Sequence, residues 1–237
     1  MVKNTVIILF LLFSISVMTF ATTQHEFYEY RASQNATGME NLILNLKNDP
    51  SLEENATTLR VLADACVEYG LWGAPKEIKA KYFDDAIHYA DMALKITPNN
   101  AYLNFVKGAA IGRLAQYKGI IQSLFMLGDF DHYINKAIKL DPRLYRAYTA
   151  LAMRYRDTPW PFANFDRSEE LFKKALSIDP GYIYGYYELA QLYIKWGKIK
   201  KVRQTFEKIA SLPVEKEFYA QEMECKVKAK KWLDTHK

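Results

Sequence analysis

The chain has 237 residues, half of them apolar and a quarter charged, enough for one domain or one repeat array and too few for two independent cores. Its 32 Lys and Arg outnumber 27 Asp and Glu, giving a formal +5 spread along the chain, so intrinsic disorder and a nucleic-acid arm are not expected. Two cysteines exclude a disulfide framework, and four scattered histidines speak against a metal enzyme.

The first predicted element is an address. Thr5 to Phe20 form the long apolar stretch, with Lys3 ahead of it, and Thr19 and Ala21 fit the small-residue positions of a signal-peptidase site. Residues 1–21 therefore read as a secretory signal and 22–237 as a single helical repeat domain, exported to the periplasm or secreted. About 16 apolar residues fall short of the ~20 that a spanning helix needs, which favours cleavage over a retained anchor. No cysteine follows the stretch, so a lipoprotein is not expected.

Further along, the chain repeats itself. Ala93-Leu-Lys-Ile-Thr-Pro98, Ala137-Ile-Lys-Leu-Asp-Pro142 and Ala175-Leu-Ser-Ile-Asp-Pro180 share one ending, with a weaker copy at Ile209-Ala-Ser-Leu-Pro213. Each is a helix terminus that proline forbids to continue. Pro180 to Pro213 is 33 residues, close to the 34-residue period of tetratricopeptide helix hairpins. Tyr148, Leu151, Ala152 and Tyr155, then Phe172 and Ala175, occupy the alternating large and small positions of such a pair. Tyr186, Leu189, Ala190 and Tyr193, with Val202, Phe206, Ile209 and a turn at Gly197, repeat them. The fold expected is all-α, a tetratricopeptide-like hairpin array (an α-solenoid) with lengthened helices and loop insertions.

Three insertions break the period. Gly70 to Pro75 separates a first pair over Thr57–Tyr69 and Lys76–Ile96. Arg113 to Gly128 holds about ten extra residues, nearly three helical turns, so a helix can lengthen there and keep its buried face. Asp157-Thr-Pro-Trp-Pro161 cannot be helical; it is expected to be an ordered loop with Trp160 and Phe162 folded onto the bundle.

These residues resemble a known family. Leu62-Ala-Asp-Ala-Cys-Val-Glu-Tyr-Gly70, Gly112-Arg-Leu-Ala with Lys118-Gly-Ile and Leu124-Phe, the three proline endings, Arg154 to Trp160 and the tail Glu222 to Leu233 together look like the T component of tripartite ATP-independent periplasmic (TRAP) transporters. The resemblance implies an all-α protein outside the cytoplasmic membrane that associates with a periplasmic solute-binding protein. Members are often lipoproteins, and this chain departs from that. The insert before Pro142 also resembles, more distantly, the regulator of microtubule dynamics proteins, a eukaryotic branch of similar repeats.

No catalytic grammar accompanies the repeats: no H-E-x-x-H, Walker A or nucleophile elbow occurs. Asp84-Asp85 and Glu169-Glu170 are neighbours about 100° apart on a helix and cannot converge on one substrate; they read as helix-start charges. No enzyme, cofactor or metal is expected. Cys66 reads as a small buried hydrophobe, and a bridge to Cys225 has no support in the sequence. Asn35-Ala-Thr and Asn55-Ala-Thr match the glycosylation sequon, a short pattern common by chance.

What remains is binding. First helices of stacked pairs line a concave face, so the candidate partner- or ligand-binding residues are Arg113, Tyr117, Arg154, Tyr187, Gln191 and Lys195. The function expected is non-catalytic protein–protein interaction, as a T-component-like accessory of a solute-binding protein. Alternatives are carriage of a small apolar or amphiphilic ligand among the helices, suggested by Trp160 and the Tyr182 to Tyr187 cluster, or a cell-envelope scaffold. Self-association is a further option; nucleic acid is not.

Overall fold

The computed structural model describes residues 23–236, so the signal sequence lies outside the described residues. Helix α1 covers residues 23–33. Ten more follow: α2 (Ala36–Lys47), α3 (Ala56–Glu68), α4 (Lys79–Ile96), α5 (Ala101–Ala115), α6 (Ile120–Leu140), α7 (Tyr145–Asp157), α8 (Phe165–Ile178), α9 (Ile183–Lys195), α10 (Ile199–Ser211) and α11 (Tyr219–Thr235). There is no strand among the described residues, and the array is all-α.

The hairpins are α3/α4, α5/α6, α7/α8 and α9/α10, the two helices of each in contact. First helices also touch in succession, α3 to α5 to α7 to α9, and α11 lies against α9 and α10. The proline endings do what their chemistry requires: α4, α6, α8 and α10 stop at Ile96, Leu140, Ile178 and Ser211, each two residues before its proline. The expected packing residues fill the seams. Leu151, Ala152, Phe172, Ala175, Leu189, Ala190, Val202, Phe206 and Ile209 are all buried. Gly197 sits at φ +73° in the α9–α10 turn, a conformation that costs glycine least.

Both N-x-Thr matches are helix caps. Asn35 accepts from the Gly38 amide at 3.0 Å, and Asn55 accepts from Thr57 and Thr58, each at 3.1 Å. Cys66 and Cys225 are both buried and both unpaired, on α3 and α11 at opposite ends of the array.

Two expectations need correction. The insert before Pro142 does lengthen a helix, since α6 runs 21 residues, but its added turns do not keep a buried face. The buried side chains of α6 are Phe130, Ile134 and Ala137, all in its second half. The cause lies on α5: Gly108 and Gly112 are one turn apart, and a Cβ there would meet Ile134 at 2.7 Å and Phe130 at 2.9 Å. These glycines seat the second half of α6 on α5, and the first half overhangs. The second correction is Trp160, which is 89% exposed, with Phe162 also exposed. The loop is ordered by its backbone instead: the Phe162 amide donates to Pro159 O and the Asn164 amide to Tyr155 O, both at 2.9 Å. Trp196, stacked edge-on against Phe165 at 5.6 Å, already fills the neighbouring seam.

Candidate functional site

The first helices of three consecutive hairpins enclose a cavity of about 330 Å³. Its walls are mostly apolar: Val106 and Ala109 from α5, Leu124 and Leu127 from α6, and Ala150 and Met153 from α7. These side chains follow from helix register, since 106 and 109, or 150 and 153, share one helical face. Leu124 and Leu127 reach the cavity from the overhanging half of α6, so the lengthened helix supplies a wall that a plain hairpin would lack.

The floor is ionic. Tyr102 donates to Asp64 at 2.5 Å, Arg146 donates to Tyr102 Oη at 3.2 Å, and Arg146 stands 3.7 Å from Glu68. The Trp72 indole N–H donates to Glu68 at 3.1 Å. Burial pushes the Glu68 carboxyl up, Arg31 pulls it back down, and the negative Asp64 pushes it up again. Burial and the facing Asp64 likewise hold Tyr102 far above the ordinary phenol range. A phenol, two carboxylates and two guanidiniums thus neutralise one another out of water, as buried charge requires.

Arg31 comes from α1. Its guanidinium lies 4.4 Å from the Phe218 ring and is paired with Glu217, which ties α1 to the segment before α11. The first and last parts of the chain therefore meet beside the cavity, whose lining includes Phe218 and Gln221.

Arg113 stands apart from this balance. Its Nη2 donates to Tyr184 Oη at 3.4 Å, and among the described residues no carboxylate lies within 4.0 Å of it. An arginine cannot shed its charge in a protein. Glu188 and Glu68 act on it from beyond ion-pair distance, so the apolar cavity has a positive pole with no anion in direct contact.

Of the six residues predicted from sequence, the structure brings Arg113 and Arg154 to this cavity. Arg154 pairs with Asp131 at 2.8 Å and donates to Phe162 O at 3.3 Å, which makes it a strut between α7, α6 and the loop. Tyr117 is exposed in the α5–α6 turn, its ring 5.8 Å from Phe83. Tyr187 packs 6.3 Å from Phe206, with the Lys228 ammonium 5.6 Å from its ring. Lys195 donates to Arg156 O at 2.8 Å, and Gln191 lies on the same helix outside the lining. Of these three α9 residues, Tyr187 meets α11 through Lys228, and Lys195 is held at the end of α7 by Arg156 O and Asp157.

Sequence reasoning missed Arg146, Glu68 and Met153. Arg146, Ala150, Met153 and Arg154 stand at i, i+4, i+7 and i+8, so extending the stripe from Arg154 backward finds them. Glu68 carries no comparable signal, because its partners come from α7 and from the π-turn at Tyr69–Gly73. The lining contains no His or Cys, and no three His, Cys, Asp or Glu residues among the described ones are grouped to hold a metal. No described helix is long and apolar enough to cross a membrane.

This architecture is a tetratricopeptide-type helical repeat array with a lined concave face, and a tetratricopeptide repeat profile matches residues 171–204. The profile of regulator of microtubule dynamics protein 1-3 matches residues 22–156, more than half of the chain, and the chain belongs to that family. The more distant of the two resemblances is thus the one that defines the family, and it extends well beyond the insert that suggested it. In structure the chain is similar to a thermophilic TPR protein of Thermus thermophilus, with a TM-score of 0.63, 17% identity, and 93% of this chain and 96% of that one covered. A crystal structure of MamA protein aligns with a TM-score of 0.46 and 20% identity, over 89% of this chain and 94% of that one. No curated protein matches in sequence.

Proposed function

We propose that the chain is an exported, non-catalytic binding protein whose concave cavity receives an apolar group of a protein partner, in the manner of a TRAP-transporter T component serving a periplasmic solute-binding protein. The observation that carries this reading is the cavity itself: apolar walls from α5, α6 and α7 around an arginine with no ion-pair partner. Buried aromatic and aliphatic pockets with one charged anchor are what a partner's projecting side chain or acidic terminus fits. Tetratricopeptide arrays bind protein partners in general, which supports the coarser part of the proposal.

Affinity capture from periplasm or culture fluid with the full chain tests it. Wild type is expected to retain a solute-binding protein, and Met153→Arg, which fills the cavity with a further cation, is expected to release it without loss of helicity. Repeated capture of partners that include no solute-binding protein sinks the T-component reading.

A second reading is carriage of a small amphiphile. It is favoured by the volume of the cavity, about 330 Å³, which suits a small molecule. An acidic head at Arg113 and an apolar body along Leu124 and Met153 would satisfy both ends of the cavity. Native mass spectrometry of the purified chain distinguishes the readings, since a carrier retains a small-molecule mass that Arg113→Glu loses. The family's name concerns microtubule dynamics, and an exported chain would not meet microtubules. Localisation of a tagged full-length chain decides between export and that role.

A further inference from the structure

We propose that the rim of the cavity docks on a lipid bilayer, with the first turns of α6 and the tip of the 158–163 loop entering the interface. Ile120 and Ile121 are each 72% exposed and Phe125 is 81% exposed, while Trp160 stands out from the loop. Isolated exposed apolar residues need no explanation, but a set of large ones gathered about one opening does. Ile121 and Phe125 are one helical turn apart and share a face. Leu124 and Leu127 of the same helix, and Thr158 and Pro159 of the same loop, line the cavity. The exposed side chains therefore stand on the two elements whose other faces form its wall.

Three observations favour a bilayer as occupant over a protein or a second copy. The first is shape: a Cβ added at Gly119 or Gly128, which bracket the overhanging turns, would meet nothing within 4 Å. One edge of these turns is thus open to solvent, and Trp160 projects from a second narrow element that prolines on either side stiffen; protein interfaces prefer a broad, closely packed core. The second is chemistry. Tryptophan favours the headgroup level, isoleucine and phenylalanine the acyl boundary just below it, and the exposed Lys118 beside Ile120 suits anionic headgroups. The third is the chain ahead of the described part. The apolar stretch Thr5 to Phe20 ends three residues before Thr23, where α1 is already helical. If retained, that stretch keeps the domain close to the membrane it enters. If cleaved, the rim is the contact that brings the cavity back to lipid. The inference goes beyond the proposed function and does not depend on which occupant the cavity takes.

The test uses the full chain and vesicles of phosphatidylcholine with phosphatidylglycerol, the former brominated on its acyl chains to quench tryptophan. The chain has four tryptophans, and Trp160 is the one placed to reach the quencher. Wild type is expected to lose a clearly larger fraction of its emission than Trp160→Phe, and the double variant Ile121→Asp with Phe125→Asp to lose no more than Trp160→Phe does. Unbrominated vesicles should abolish the difference, and circular dichroism should be unchanged because all three substituted positions are exposed. Equal quenching of wild type and Trp160→Phe overturns the proposal, even where vesicles still float the chain, because attachment then runs through the N-terminal stretch alone. Full quenching of Trp160 in the double variant also overturns it, since α6 would then take no part. Capture of a protein by a photo-crosslinker at position 125, without Trp160 quenching, assigns the rim to a protein partner instead and overturns it as well.

Discussion

The concave stripes of α7 and α9 start from the same helix register and meet different fates. On α7, Arg146, Ala150 and Met153 face open space walled by α5 and α6. On α9 the stripe divides: Tyr184 still lines the cavity, whereas Tyr187 packs toward Phe206, and Phe206 meets Trp232 of α11 at 5.3 Å. A repeat array thus makes a groove by default, and what converts part of it into a cavity is a terminal helix that plugs the remainder. The polar groups differ in the same sense. Those beside the cavity leave Arg113 without an anion in direct contact, whereas the C-terminal hairpins over-supply Glu169 with donors. Tyr193 at 2.9 Å, Lys201 at 2.7 Å and Lys173 at 2.8 Å all converge on that carboxylate.

The largest expected effect tests whether the plugged end is a true core. Phe206→Ala removes a buried ring from the α9–α10–α11 seam and should cost about 3–5 kcal/mol. Met153→Ala, at a wall that already faces a cavity, should cost well under half of that, because little new void is created. Denaturant unfolding of both variants checks the pair, and similar losses would mean that the two ends are packed alike. Next in size is Arg156→Ala. Arg156 bonds Glu188 at 2.6 Å with both side chains buried, tying α7 to α9, and removing one partner strands the other at about 3 kcal/mol.

Two buried carboxylates of the C-terminal hairpins should respond to pH in opposite directions. Burial raises the Glu169 carboxyl, but hydrogen bonds from Lys173, Lys201 and Tyr193 outweigh it and bring the pKa down to about 2. A depressed folded pKa stabilises above the unfolded value near 4.5, and the contribution fades as pH falls toward 2. Glu169→Gln should therefore lower Tm at pH 7 and draw level with wild type in acid. Glu222 is the reverse. Burial, and the nearby Glu215 and Asp179, raise it to about 7 against the amide of Glu215 that donates to its Oε2 at 2.7 Å. The native state then holds a proton that the unfolded chain releases, so stability declines as pH rises from about 4.5 through 7. Glu222→Gln should flatten that decline, and thermal melts from about pH 2 to 8 read both variants. Parallel pH profiles for the two would refute the contrast.

Much of this contrast was legible in the sequence, and the limit was physical. Proline endings, small residues at seams and the Asn caps are local signals, and α4, α6, α8 and α10 end where they say. Arg113 and Arg154 could be placed because their register on a first helix is set by the core residues of that same helix. Tyr187, Gln191 and Lys195 follow from the same reasoning, but Tyr187 packs toward Phe206 and Lys228 of the last two helices, and Lys195 is drawn to the end of α7. That packing is a long-range choice with no local trace. Glu169 shows the same blindness in another form: an adjacent carboxylate pair reads as helix-start charge, while its partners at Tyr193 and Lys201 lie one and two helices further on.

The smallest expected effect is the most discriminating about the loop. A Pro-Trp-Pro segment invites the reading that its ring is buried, in which case Trp160→Ala would cost about 3 kcal/mol. The structure instead supports the loop by backbone bonds from Phe162 to Pro159 and from Asn164 to Tyr155, and by Arg154 reaching Phe162 O. None of these involves the indole, which is solvated. Trp160→Ala should then change stability by no more than about 0.5 kcal/mol, as for other exposed positions. Arg154→Ala is the informative companion, because it removes the Asp131 pair and the Phe162 bond together while leaving the ring in place. Its cost should exceed that of Trp160→Ala severalfold in denaturant unfolding, since Asp131 is left partly buried without its cation. A reversed order would place the indole in the core after all and return the loop to a packing role.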